Sequence, residues 1–155
     1  MLALGSSLPV GTVHDDYGNT VRLTDFLGSY IVLYVYPRDN TPGCTAEACS
    51  FRDQSKDIVA TGATILGISP DTAQSHKKFK DKFELNFTLL ADPDRVIIEQ
   101  LGAWGEKTSY GKTSMGVLRS TFVFDKKGTL IKVWPKVSPA THGEEIADYL
   151  RELKA

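Results

Sequence analysis

Residues 30–49 decide the fold: Tyr30-Ile31-Val32-Leu33-Tyr34-Val35-Tyr36, then Pro37-Arg38-Asp39-Asn40-Thr41-Pro42-Gly43-Cys44-Thr45-Ala46-Glu47-Ala48-Cys49. The first seven are apolar, β-branched or aromatic, and a proline stops them. That pattern predicts a short strand buried in the core. After Cys44 the composition turns helical and runs to Thr61-Gly62. A loop therefore leaves a core strand and carries a cysteine into the first turn of a helix.

A helix start suits a reactive thiol. Its unpaired N–H groups and the helix dipole favour the thiolate, which is the nucleophilic form. Pro37 and Pro42 stiffen the loop and limit water near the sulfur. Gly43 lets the backbone approach whatever Cys44 attacks. Thr41 offers a hydroxyl within a turn of the sulfur, able to donate to it or to hold a substrate oxygen.

Cys49 lies five residues on. In an intact helix that spacing is about 140° around and about 7.5 Å along the axis, or about 8.6 Å between Cα atoms. A disulfide needs less than roughly 7 Å. The two thiols cannot bond while the helix is folded and can if its first turns unwind. The spacing suits a thiol that reacts first and is then captured by its neighbour. The plain alternative is two small buried residues. A zinc site is disfavoured because no second ligand pair is near.

Outward from this stretch, strands and helices alternate. Residues 63–69 and 87–91 read as buried strands, and 72–83 as an amphipathic helix. The lysines of that helix and His76 are assigned to its solvated face. Asp92 caps a helix over 96–101, and residues 102–118 read as a long loop beside the active site. Residues 119–125 and 129–134 flank Lys126-Lys127-Gly128 as a hairpin. A last helix over 143–154 buries Ile146, Tyr149, Leu150 and Leu153. An N-terminal hairpin turns at Asp15–Asn19, and His14 beside it is a surface residue. The sum is an α/β chain with a mixed central sheet flanked by helices, a single domain over residues 1–155.

The segment Tyr36 to Asp53 resembles the active-site segment of peroxiredoxins, in particular the bacterioferritin comigratory protein or Q-type group. Pro37, Thr41 and Cys44 carry the specific Pro-x-x-x-Thr-x-x-Cys pattern, and Cys49 marks the group. The likeness extends through Tyr110-Gly111-Lys112, Met115-Gly116, Arg119-Ser120-Thr121-Phe122 and Trp134-Pro135-Lys136-Val137 with His142. It departs at Leu8-Pro9-Val10-Gly11, where the usual aspartate and aromatic residue are missing.

The resemblance implies a thioredoxin-like fold with an N-terminal extension. It implies a thiol-dependent peroxidase that forms a Cys44 sulfenic acid and then an intrachain Cys44–Cys49 disulfide. A thioredoxin-type dithiol protein would reduce that bond. Arg119 would reach the thiolate and the peroxide, with Thr41 and the Gly43 and Cys44 N–H groups. Glu47 would orient Arg119, and Trp134 would pack or shield the site. No metal, haem or flavin is required.

Composition limits the alternatives. A net charge of -1 gives no reason to expect nucleic acid or membrane partners. The longest apolar run, residues 30–36, is too short to cross a bilayer. The N-terminus lacks the basic start and apolar stretch of a signal peptide, and two working thiols suit a reducing compartment, so the cytoplasm is the expected location. The expected state is a monomer, with a weak dimer as the other possibility. Two further activities compete with the peroxidase. The first is a thiol–disulfide oxidoreductase, against which the five-residue spacing argues. The second is a redox-responsive binding module or holdase whose helix melts on oxidation.

Overall fold

The computed structural model describes residues 1–154. The quoted stretch forms strand β3, Tyr30–Val35, and helix α1, Pro42–Ala60. Four strands precede or follow it toward one edge and the middle of the sheet: β1 (Val13–Asp15), β2 (Thr20–Val21), β4 (Ala63–Ser69) and β5 (Thr88–Ala91). Toward the other edge lie β8 (Ser120–Phe124) and β9 (Leu130–Trp134). Together they make a seven-stranded sheet in the order β2-β1-β5-β4-β3-β8-β9. The β3–β4 and β4–β5 pairs are parallel and the rest antiparallel, so the sheet is mixed.

Alternation along β3 splits the core in two. Ile31, Leu33 and Val35 face a cluster with Leu66, Ile68, Leu90, Phe122 and the short helix α3 (Val96–Gln100). Val32, Tyr34 and Tyr36 face the other cluster, with Ala48, Phe51 and Ile58 of α1. Phe79 of helix α2 (Ala73–Phe83) and Ile146, Ala147 and Leu150 of helix α4 (His142–Lys154) complete it. Every residue of β3 after Tyr30 is buried, as a strand covered on both faces must be. Asp92 does cap α3: its carboxylate accepts from the N–H groups of Val96, Ile97 and Ile98. Among the described residues no helix is long and apolar enough to cross a membrane.

Three expectations need correction. Residues 102–118 are mostly not loop: they form a separate hairpin of β6 (Trp104–Ser109) and β7 (Lys112–Val117). Tyr110 and Gly111 turn it with positive φ, 53° and 77°. Lys112, Thr113, Ser114 and Met115 are all exposed, so no apolar alternation marks the strand. His76 is not on a wet face but fully buried. It shares the inward side of α2 with Phe79 and Phe83, at steps of three and four residues, while Lys78 and Lys82 are exposed and Lys80 pairs with buried Asp16. Leu153 is 40% exposed, and Ala147, which was not expected in the α4 stripe, is fully buried.

Candidate active site

Helix α1 begins with Pro42, which has no N–H to leave unpaired. The first ladder bond runs from the Thr45 N–H to the Thr41 carbonyl, 2.8 Å. The N–H groups of Gly43 and Cys44 come before it and have no acceptor within the helix. Cys44 is thus a third-position helical residue whose own N–H points out of the helix start. The residue is almost wholly buried, at 1% exposure, among the side chains of the β3–α1 cluster.

The charge beside that sulfur comes from the far side of the sheet sequence. Arg119 lies just before β8, which pairs with β3 in register Val35 to Ser120. That pairing brings residue 119 beside the end of β3, where the Cys44 loop begins. The Arg119 Nη2 donates to Cys44 Sγ at 3.2 Å, and Nη1 donates to Glu47 Oε1 at 2.6 Å. Glu47 is fully buried and its second oxygen has no hydrogen-bond partner. Burial pushes the Glu47 carboxyl up to about 7, with the Arg119 charge and hydrogen bond pulling the other way. Burial also works against the Arg119 charge, but Glu47 and Cys44 outweigh it and its pKa is raised. One guanidinium therefore serves two acidic groups, one on each of two successive helical turns.

Gly43 eases that approach. A Cβ there would stand 3.2 Å from Arg119 Nη2, closer than such contacts usually come. The glycine makes room for the arginine as well as for an incoming molecule. Arg119 also lines an open cavity of about 480 Å³ with Pro37, Lys107, Leu118, Pro135, Lys136 and Val137. Pro37 is thus on the wall of the hollow that Arg119 faces, and Pro42 is exposed at the helix start.

Thr41 and Trp134 have partners other than the sulfur. The Thr41 hydroxyl donates to the Arg38 carbonyl at 2.9 Å, and no hydrogen bond joins it to the sulfur. The carbonyl three residues back accepts that hydrogen bond, so the hydroxyl hydrogen points away from the sulfur. Trp134 packs edge-on against His142 and Tyr149, with ring centroids 5.7 and 5.2 Å apart. It lines a larger cavity, about 610 Å³, between β9 and α4, whose walls include neither Cys44 nor Arg119. Both cysteines are free, with Cys44 buried and Cys49 half-buried on an unbroken helix.

Sequence reasoning missed the packing beneath the loop. Asp39, His76 and Tyr36 are buried together there, and the one available signal was the spacing of His76 from Phe79 and Phe83.

The AhpC/TSA family profile matches residues 4–133. The chain belongs to that family. Within it, the chain is 44% identical over 152 residues to peroxiredoxin Bcp of Bacillus subtilis, covering 98% of this chain and 97% of the relative. It is 38% identical over 151 residues to peroxiredoxin Bcp of Escherichia coli, 97% of each. Its fold matches Xanthomonas campestris bacterioferritin comigratory protein, studied for alkyl peroxide reduction in trapped intermediate and ligand complexes. That match has a TM-score of 0.90 at 31% identity over 99% of this chain and 98% of the other. A cysteine-to-serine variant of Xylella fastidiosa PrxQ superposes with a TM-score of 0.93 at 28% identity, covering 100% and 99%. The AhpC/TSA chain described here thus has the thioredoxin-like fold of the Bcp and Q-type peroxiredoxins.

Proposed function

We propose that this peroxiredoxin reduces hydroperoxides with Cys44 as the attacking thiolate. The observation that carries the assignment is the 3.2 Å contact from Arg119 to Cys44 Sγ at the start of α1. A fixed cation and two unpaired N–H groups converge where negative charge must first sit on sulfur and then move to oxygen. The thiolate attacks the outer oxygen of the O–O bond. That bond breaks, sulfur becomes the sulfenic acid, and the other oxygen leaves as water or alcohol after taking a proton. Arg119 and the Gly43 and Cys44 N–H groups hold the two oxygens. The Thr41 hydroxyl, donating its hydrogen bond to the Arg38 carbonyl, keeps lone pairs that accept from the peroxide O–H. Glu47 holds the guanidinium in place from behind. Pro37 walls the hollow, and Trp134 supports the sheet edge and α4 around it.

Cys49 is the resolving thiol. When the first turns of α1 open, its sulfur displaces the sulfenic hydroxyl as water and an intrachain disulfide forms. A thiol reductant then restores both cysteines, and the exposed, newly opened segment suits a dithiol protein of the thioredoxin type. Such cycling belongs in a reducing compartment, the cytoplasm, and needs only one copy of the chain.

Cys49→Ser tests the division of labour. With one equivalent of hydrogen peroxide it is expected to consume that equivalent and gain one oxygen by intact mass, but to lose reductant-driven turnover. Wild type is expected to lose two hydrogens instead. Sustained turnover by Cys49→Ser removes Cys49 from the cycle, and turnover by Cys44→Ser removes Cys44.

A further inference from the structure

The loop that carries Cys44 is tied down at its start by a buried polar knot. Asp39 Oδ1 accepts from the Tyr36 hydroxyl at 2.6 Å. Asp39 Oδ2 meets the Ser75 hydroxyl at 2.8 Å and His76 Nδ1 at 2.7 Å. The Asp39 N–H donates to the Asp71 carboxylate at 2.8 Å, which also accepts from Ser69. His76 Nε2 faces the Leu90 carbonyl at 2.9 Å. Asp39 is only 8% exposed and His76 not at all. Both ring nitrogens face oxygen atoms, so the imidazole ties Asp39 of the loop to the Leu90 carbonyl of β5. Beyond Asp39 the loop changes character at once: Asn40 has φ of 59° and is exposed.

A second fixed point lies just past Cys49. The Gly143 N–H donates to Ser50 Oγ at 2.8 Å, and a Cβ on Gly143 would come 2.3 Å from the Ser50 carbonyl. Phe51 is fully buried against Tyr34 and His142, at 4.5 and 5.5 Å between ring centroids. Between the two fixed points lie residues 40–49 and both cysteines.

We propose that His76 is a positioning residue for the disulfide-forming step, acting through Asp39 to hold down the end from which residues 40–49 open. This rests on the assignment of Cys44 and Cys49 made above. A buried carboxylate is tolerated only while its donors remain. Take away His76 and Asp39 gains by lifting into water, and residues 40–43 lift with it. The open state is rare and the closed state abundant, so a tenfold rise from about 1% open leaves about 90% closed. Reactions through the open form then speed up about tenfold, while those through the closed form scarcely change.

Two fates of the sulfenic acid read this out. In one, Cys49 attacks: Cys44–SOH and Cys49–SH give the disulfide and water, through the open form. In the other, a second hydroperoxide oxidises Cys44–SOH to the sulfinic acid and itself becomes water or alcohol, through the closed form.

The test treats wild type, His76→Leu, His76→Asn and Ser75→Ala with hydrogen peroxide under reductant cycling. Intact mass gives the peroxide concentration at which half the protein is sulfinic. His76→Leu is expected to raise that concentration about tenfold, and Ser75→Ala, which removes one milder donor, about threefold. His76→Asn keeps an N–H for Asp39 and is expected to return close to wild type. In a Cys49→Ser background, His76→Leu is expected to leave the first Cys44 oxidation within about twofold. General destabilisation would lower the melting temperature without moving the ratio of the two fates. Should His76→Leu not fold, Ser75→Ala carries the test alone. An unshifted ratio in the folded variants overturns the inference, as does a shift in His76→Leu that His76→Asn does not recover. A wild type that forms no Cys44–Cys49 bond overturns the Cys49 assignment and this inference together.

Discussion

The first two turns of α1 and the turns after them are one continuous helix held by different forces. Cys44 and Glu47 are held by one arginine from β8's leading edge, through charge and hydrogen bonds. Phe51 and Ile58 are held by full burial among aromatic and aliphatic side chains of the sheet and α4. The Ser50–Gly143 contact marks the change from one regime to the other. A charge contact depends on the chemical state of its partner. In the proposed cycle, oxidation of Cys44 changes the sulfur that Arg119 faces, so the contact there changes with it. Burial of Phe51 depends on no such state. A helix built this way can open at one end in response to chemistry and stay docked at the other.

The largest expected effect is on the docked half. Phe51→Ala removes a fully buried ring and should cost about 3–5 kcal/mol by urea unfolding. A loss below about 1 kcal/mol would mean that the later turns are not what anchors α1. On the chemical half, Arg119→Ala should slow Cys44 oxidation about 10²–10³-fold, the cost of removing one preorganised donor. Stopped-flow fluorescence can follow it, and a rate equal to wild type would break the contrast from the other side.

Glu47→Gln sharpens the comparison through pH. Burial raises the Glu47 carboxyl from 4.5 to about 7, so between those values the folded chain holds a proton that the unfolded chain has lost. Wild-type stability from this group is therefore full below about 4.5 and falls as pH rises through about 7. The wild-type minus Gln difference in unfolding free energy should decline across that window and level off above it. His142 works in the opposite sense, since burial lowers its pKa despite Glu145, and it is present in both proteins and cancels. A flat difference would place the burden of the buried pair elsewhere. The smallest effect is at the boundary itself: Ser50→Ala should cost about 1 kcal/mol, one hydrogen bond to a backbone N–H. Its melting curve should stay as steep as that of wild type.

Much of this arrangement was legible in one dimension, and the exceptions share a cause. The strand over 30–36, the helix after Cys44, the Asp92 cap and the 119–134 hairpin all announce themselves through local pattern. The meeting of Cys44 with Arg119 and Glu47 did not: local pattern alone reads Arg119 as an exposed cation, and only the family resemblance implied its place beside the thiol. The β6–β7 hairpin was read as a loop because only its base, Trp104 and Val117, reaches the core, and the first four residues of β7 are exposed without alternation. His76 was read as wet because a histidine among lysines looks like surface until its partners, Asp39 and the Leu90 carbonyl, are known. For Thr41 the sequence left two roles open, donor to the sulfur or holder of a substrate oxygen, because sequence distance does not say that its proton faces the Arg38 carbonyl.

By itself the order of residues determined where the chain pleats and coils, and that a thiol opens a helix with a second thiol out of bonding reach. Those are consequences of side-chain period, proline and helix geometry, all local. Only the folded chain decided which charge meets that thiol, which carboxylate shares it, and which buried histidine lies under the loop. Those contacts span 72, 75 and 37 residues, and a contact of that range exists only once the sheet has set its register.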